Sequence, residues 1–121
     1  YIGNSLWSHN IALKEPALEK GIFSNIDQIN YENFANDYYK TFNEKPHKIS
    51  SIAYDLIGLV SSFYKNNQEI SFDNMTSENG FVGTNGLFRF KKDGNIERSL
   101  SIYRIKDQKI EEIKKASLNF N

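Results

Sequence analysis

Two histidines, His9 and His47, are the side chains of this sequence best suited to acid–base or metal chemistry. They lie on separate stretches, and neither has a carboxylate at metal-ligand spacing, so both read as incidental loop residues. Glu111-Glu112 is a carboxylate pair in sequence, but neighbours on a strand point to opposite faces, which rules out an acid–base dyad. Gly83-Thr84-Asn85-Gly86 is glycine-rich like a phosphate loop. No Gly-Lys-Ser/Thr follows it, and the next residues are strand formers, so no helix N-terminus is there to receive an anion. No serine sits in a Gly-x-Ser-x-Gly elbow. Cysteine is absent, which excludes disulfides, zinc–thiolate sites and thiol nucleophiles in these residues. The sequence therefore reads as a non-enzyme with no metal site and no cofactor. Binding chemistry remains. Trp7, the single tryptophan, follows what reads as a strand end, where α/β folds place ligands. Its other reading is a core or lid aromatic.

The elements that must position these residues belong to one domain, or a piece of one, at 121 residues. Apolar residues make up 39% and charged residues 25%, the balance of an ordinary soluble domain. Fifteen basic residues offset fifteen acidic ones, which argues against a general nucleic-acid or anionic-membrane footprint. No run approaches the length of a membrane span. The sequence opens at Tyr1, without methionine, on what reads as a strand. It is therefore expected to be a segment of a longer product, with any targeting signal upstream.

The densest structural punctuation lies at 80–105. Gly80, Gly83, Gly86 and Gly94 fall within fifteen residues, and the first three are spaced for tight turns or close backbone approach. Leu87 to Phe90 reads as a strand, Asp93-Gly94 as a hairpin turn, and Arg98 to Ile105 as one return strand with Leu100 and Ile102 on one face. Upstream, Tyr1 to Ser5 is a strand end entering a loop. Lys14 to Leu18 holds a helical turn with Pro16 near its start, and Gly21 releases the chain into a strand at 22–26. Tyr31, Phe34, Ala35, Tyr38, Tyr39 and Phe42 fall at helical spacing, with Asn30 as N-cap and Pro46 as stop. This aromatic stripe could stack nucleic-acid bases, but packing of an amphipathic face is the better reading. A second helix is expected from about Lys48 to Lys65. Its apolar arc (Ile49, Ile52, Ala53, Leu56, Ile57, Leu59, Val60, Phe63, Tyr64) is wide enough to be covered on more than one side. Asp55 would face away from that stripe or cap a neighbouring loop. Gly58 would mark a close backbone contact. A short helix or turn at 70–75 turns Phe72 and Met75 inward. A last strand at 109–114 is anchored by Ile110 and Ile113.

These signals, in this order, resemble a known family. The carriers are Phe34 to Tyr39, the Phe42-Asn43-Glu44-Lys45-Pro46 segment, Ala53-Tyr54-Asp55, and Gly80-Phe81-x-Gly83-x-x-Gly86-x-Phe88-x-Phe90-x-x-Asp93-Gly94-x-x-Glu97-Arg98. Together they are similar to the C-terminal part of type I periplasmic solute-binding proteins of the leucine/isoleucine/valine-binding branch. They are closer still to bacterial lipoproteins described as penicillin-binding protein activators or amino-acid ABC transporter substrate-binding proteins. Their opening is like Tyr1-Ile2-Gly3-x-x-Leu6-Trp7, and the similarity spans nearly the whole chain.

The resemblance implies an α/β fold: the C-terminal fragment of a bilobed protein that closes on a ligand, with two main helices and a C-terminal β-hairpin region. Residues 1–30 would be a lobe-end strand and loop, 31–66 a helical pair, and 80–121 closing β segments, all within a single segment at 1–121. Carried over by position, Asn4, Ser5 and Trp7 would border the ligand. The leucine-binding branch places an acidic residue in this loop to meet the ligand amine, and Ser5 stands at that position here. Two functions are implied. One is delivery of a small polar ligand, such as an amino acid, to an ABC transporter permease. The other is a lipoprotein regulator that contacts a cell-wall synthase. Either implies an extracytoplasmic, periplasmic location, with any lipid anchor upstream. A fragment that exposes apolar helix faces is expected to self-associate, for instance as a dimer.

Overall fold

The computed structural model describes residues 1–47 and 49–120. The chain folds as two small sheets with helices between them in sequence. The first sheet has strand order β1-β2-β6-β7 and the second β3-β4-β5. The strands are β1 (Ile2–Gly3), β2 (Ile22–Asn25), β3 (Phe81–Gly83), β4 (Gly86–Phe90), β5 (Ile96–Arg98), β6 (Ser101–Lys106) and β7 (Lys109–Lys114). The helices are α1 (Asn10–Leu13), α2 (Gln28–Phe42), α3 (Ser50–Lys65) and α4 (Phe72–Met75), with 3-10 turns at Ser5–Ser8 and Pro16–Leu18. This is the mixed α/β architecture expected from the sequence.

The first sheet joins the start of the chain to its end. β1 runs parallel to β2, and β2 pairs antiparallel with β6 from Ile22↔Arg104 to Asn25↔Ser101. Its core is Phe23, Tyr103 and Ile105, with Trp7, Leu13 and Leu18 packed against it. Phe23 and Tyr103 stack with ring centres 5.6 Å apart. The β6–β7 hairpin closes through Asp107 and Gln108, both in the left-handed region at φ 51° and 60°. That is the turn whose twist matches its flanking strands.

Burial in β6 reverses the expected face. Ser101, Tyr103 and Ile105 point into the core, whereas Leu100 is exposed. The single return strand expected at Arg98 to Ile105 is in fact two strands in different sheets. β5 ends at Arg98, and Ser99 and Leu100 carry the chain across to β6. Alternation alone could not show this break, because a switch between sheets changes which parity faces inward. Ile110 and Ile113 are not anchors either, since every residue of β7 is exposed. β7 is an edge strand, and its Lys and Glu side chains suit that position.

The second sheet packs on α3. Leu59, Phe63 and Phe88 form its core, with Met75, Phe81 and Phe90 against them. The aromatic contacts Phe63–Phe81, Phe81–Phe88 and Phe88–Phe90 run through this cluster at 5.8–5.9 Å. Phe72, expected inward beside Met75, is 61% exposed. It sits at the first position of a one-turn helix capped by the Ser71 hydroxyl, on the side away from the core.

The two long helices differ from expectation at their ends and faces. α2 begins at Gln28 because Asp27, not Asn30, is the cap: its carboxylate accepts from the N–H groups of Ile29 and Asn30. It ends at Asn43, which adopts φ 54° and donates its N–H to the Tyr39 carbonyl, before Pro46 is reached. The aromatic stripe packs as rings on rings. Phe34 meets Tyr54 of α3 at 5.3 Å, and Tyr38 meets Phe42 at 4.6 Å. No residue of α2 is fully buried.

On α3 the buried line is Ser51, Asp55, Leu59 and Phe63, one residue every fourth position. Most of the wide apolar arc faces outward, with Ile57 69% and Tyr64 85% exposed. Gly58 has open space where a Cβ would stand, so no close contact explains it. The expected start of this helix at Lys48 lies outside the described residues.

Candidate functional site

The turn after β1 holds all three residues that the resemblance marks for a ligand. Asn4 caps the 3-10 turn, its Oδ1 accepting the Leu6 N–H at 3.0 Å while its carbonyl accepts the Trp7 N–H at 3.0 Å. Ser5 is exposed, and its carbonyl accepts the Ser8 hydroxyl at 2.7 Å. Trp7 is half-buried. Its indole lies flat across Gly3 of β1 and Gly21 just before β2, so close that a Cβ at either glycine would collide with the ring. These two glycines therefore give the indole its seat over the first-sheet core. Asn4 and Ser5 stand at the C-terminal end of a strand that runs parallel to its neighbour, the place where open α/β sheets receive ligands. The turn presents the exposed Ser5 hydroxyl beside the half-buried Trp7 ring.

A second polar constellation was only half legible in the sequence. Asp55 on α3 caps the β3–β4 turn. Its Oδ1 accepts from the Thr84 N–H at 2.6 Å and the Thr84 hydroxyl at 2.8 Å, and its Oδ2 accepts from the Asn85 N–H at 3.4 Å. Thr84 and Asn85 lack the positive φ that a twist-matched two-residue hairpin needs; Gly86 carries it instead, at 91°. The turn therefore depends on an acceptor from outside, and Asp55 supplies it. Gly83 admits the carboxylate, since a Cβ there would overlap the Asp55 carboxyl group. The glycine spacing pointed to this close approach. The partner, 29 residues earlier, left no local signal.

The same cluster continues inward. Asn85 donates its side-chain N–H to Ser51 at 2.9 Å, and its Oδ1 is buried without a partner among the described residues. Arg98 donates to the Asn85 carbonyl at 3.4 Å and lies over the Phe88 ring at 5.3 Å. Burial pushes its guanidinium pKa down while Asp55 opposes the shift, and arginine stays charged throughout.

Between α2, α3 and β3 runs a groove of about 1180 Å³, walled by Phe34, Tyr38, Tyr54 and Phe81. Polar residues line it too, among them Asn30, Asp37 and Thr84. Among the described residues, no group of three or more His, Cys, Asp or Glu side chains could hold a metal ion. No described helix is long and apolar enough to cross a membrane.

Burial also bears on Tyr103, which donates to the Ile26 carbonyl at 3.3 Å. Desolvation raises its pKa above the ordinary tyrosine value, against smaller hydrogen-bond effects in the other direction. A raised folded pKa means the neutral phenol is the stabilising form. That contribution is complete below the unfolded tyrosine pKa of about 10 and is lost as pH rises through the higher folded value. Denaturant titrations of Tyr103→Phe and wild type should therefore show a shallower loss of stability in the variant above about pH 10. Parallel curves would place the alkaline transition elsewhere.

With this geometry in view, solved structures offer a comparison. One, from Rhodospirillum rubrum and assigned as a branched-chain amino acid ABC transporter, superimposes with a TM-score of 0.71 at 14% identity. It covers 93% of this chain and 36% of its own. The fold matches a fragment of the type I periplasmic binding protein fold. A second structure, the leucine binding protein LivK from Thermotoga maritima, matches at a TM-score of 0.52 and 12% identity, over 92% of this chain and 35% of its own. This chain thus spans about a third of the length of these two proteins. No family model and no curated protein matches its sequence. Such low identity transfers the fold alone, so residue roles must come from the geometry above.

Proposed function

We propose that this chain is the C-terminal segment of an extracytoplasmic solute-binding protein of an amino-acid-type ABC transporter, which holds a small polar ligand between two lobes. The observation that carries the reading is the fold match over 93% of the chain. The turn Asn4–Ser5–Trp7 supports it, because it presents polar groups and an aromatic ring at the end of parallel strands. In this reading the Ser5 hydroxyl hydrogen-bonds the ligand where a charged group would meet an amine, and the permease is the partner. The first sheet belongs to one lobe, and α2, α3 and the second sheet belong to the other. The outward apolar face of α3 is covered by the rest of the bilobed protein. The 121-residue segment alone would then expose that face and self-associate.

Trp7 makes the reading testable, since it is the single tryptophan of these residues. Titrating the whole protein with branched-chain amino acids should give a saturable emission change that is lost in Trp7→Phe. Ser5→Ala should weaken the apparent affinity about 5- to 15-fold, the loss of one hydrogen bond of about 1–1.5 kcal/mol. Equal affinities for variant and wild type would remove Ser5 from the site.

A further inference from the structure

The residues after β7 do more than trail from the first sheet. Ala116 donates its N–H to the hydroxyl of Ser101 at 2.9 Å, and Ser101 is fully buried in β6. Ser117 and Asn119 then close a tight local turn through the serine hydroxyl, which accepts the Asn119 N–H at 3.2 Å. This turn delivers Phe120 to the second sheet. There its ring stacks on the Arg89 guanidinium, 4.4 Å from ring centre to Cζ.

The receiving end is prepared on both sides of the ring. Arg89 is held rigidly: Nε and Nη2 converge on Glu97 Oε2 at 2.7 and 2.6 Å, and Nη1 donates to the Glu78 carbonyl at 3.0 Å. A guanidinium fixed through its edge presents its flat face for stacking. Gly80, at φ 71°, lies under the ring edge, and a Cβ there would come within 2.8 Å of Phe120. So glycine at that position serves the left-handed turn, the close approach of the Phe88 carbonyl and the room for the ring.

We propose that residues 115–120 form a strap that couples the two sheets, with Ser101 as its anchor and the Phe120–Arg89 stack as its latch. The chain already joins the sheets twice, directly at Ser99–Leu100 and by the long path from β2 through α2, α3 and α4 to β3. Ser99–Leu100 is a short single-chain connection about which the sheets could pivot. The strap adds a third, noncovalent link that must break, or move as a unit, whenever one sheet turns against the other. It thereby sets how far the two sheets open, whatever solute the protein carries.

These residues hold no cysteine, and for the test any cysteine elsewhere in the whole protein is first replaced by serine. Lys92→Cys, beside the β4–β5 turn, and Lys109→Cys, on β7, are exposed sites for two spin labels. Pulsed dipolar spectroscopy on the whole protein then reads the distance distribution between the sheets. Phe120→Ala should broaden that distribution, and Phe120→Trp, which keeps the cation–π stack, should leave it narrow. Ser101→Ala should broaden it from the other end, with circular dichroism confirming an intact fold. An unchanged width in Phe120→Ala, or equal broadening in the alanine and tryptophan variants, would overturn the strap.

Discussion

Asp55→Ala is expected to lower the unfolding free energy by about 3–5 kcal/mol, the range for deleting one partner of a buried charged network. The carboxylate is 8% exposed and receives donors from Thr84 and Asn85. Its loss would leave those donors buried and unpaired, at about 1–3 kcal/mol for each desolvated group. It would also remove the acceptor on which the β3–β4 turn depends, and with it the opposing charge for Arg98. Asp55→Asn should fall between wild type and alanine, because one oxygen survives while the amide nitrogen faces a donor. Urea titration checks the series: the midpoint should move with the slope unchanged. A wild-type midpoint in Asp55→Ala would mean that the turn stands without its cap.

The second large effect is Phe23→Ala, expected to cost about 3–5 kcal/mol through lost transfer energy and the cavity left behind. Phe23 is 1% exposed at the centre of the first sheet, stacked on Tyr103 and beside Ile105. Trp7 packs against the same cluster, so its emission should shift to the red in the folded variant as water approaches the indole. A natural domain holds about 5–15 kcal/mol in total, so this single change removes a large share of it. A loss below about 1 kcal/mol, as for a volume-conserving core swap, would show that the first sheet is not an independent core.

Local pattern carried much of the fold. Apolar spacing placed the bodies of α2 and α3, and turn chemistry placed Asp93-Gly94, where Gly94 adopts φ 84°. The glycine run at 80–86 was legible as backbone machinery: Gly80 and Gly86 take positive φ, and Gly83 makes room for Asp55. What stayed hidden depended on contacts distant in sequence. The buried line of α3 includes Ser51 and Asp55 and leaves Ile52 and Leu56 outside, because the partner of that face is a polar turn and not only a sheet. The break between β5 and β6 falls at Ser99 and Leu100, with no glycine or proline to mark it. The Asp27 cap stands just after a strand, so the helix begins three residues before its first aromatic position.

The candidate turn was legible for a different reason. Gly3 and Gly21 lie far apart in sequence, yet each is a glycine because the same indole rests on it. The seat of Trp7 is visible only in the structure, whereas the position of Asn4 and Ser5 at a strand end could be read from the order of residues.

The measurement that tests the central claim most directly is the melting temperature of the whole protein across a panel of amino acids. A ligand that binds only the folded state adds about 2.7 kcal/mol at a hundred times its Kd. A rise of several degrees is expected with one class of amino acid and none with the others. A cooperative melt that no member of the panel moves, even at millimolar concentration, would contradict an amino-acid-binding role while leaving the fold in place.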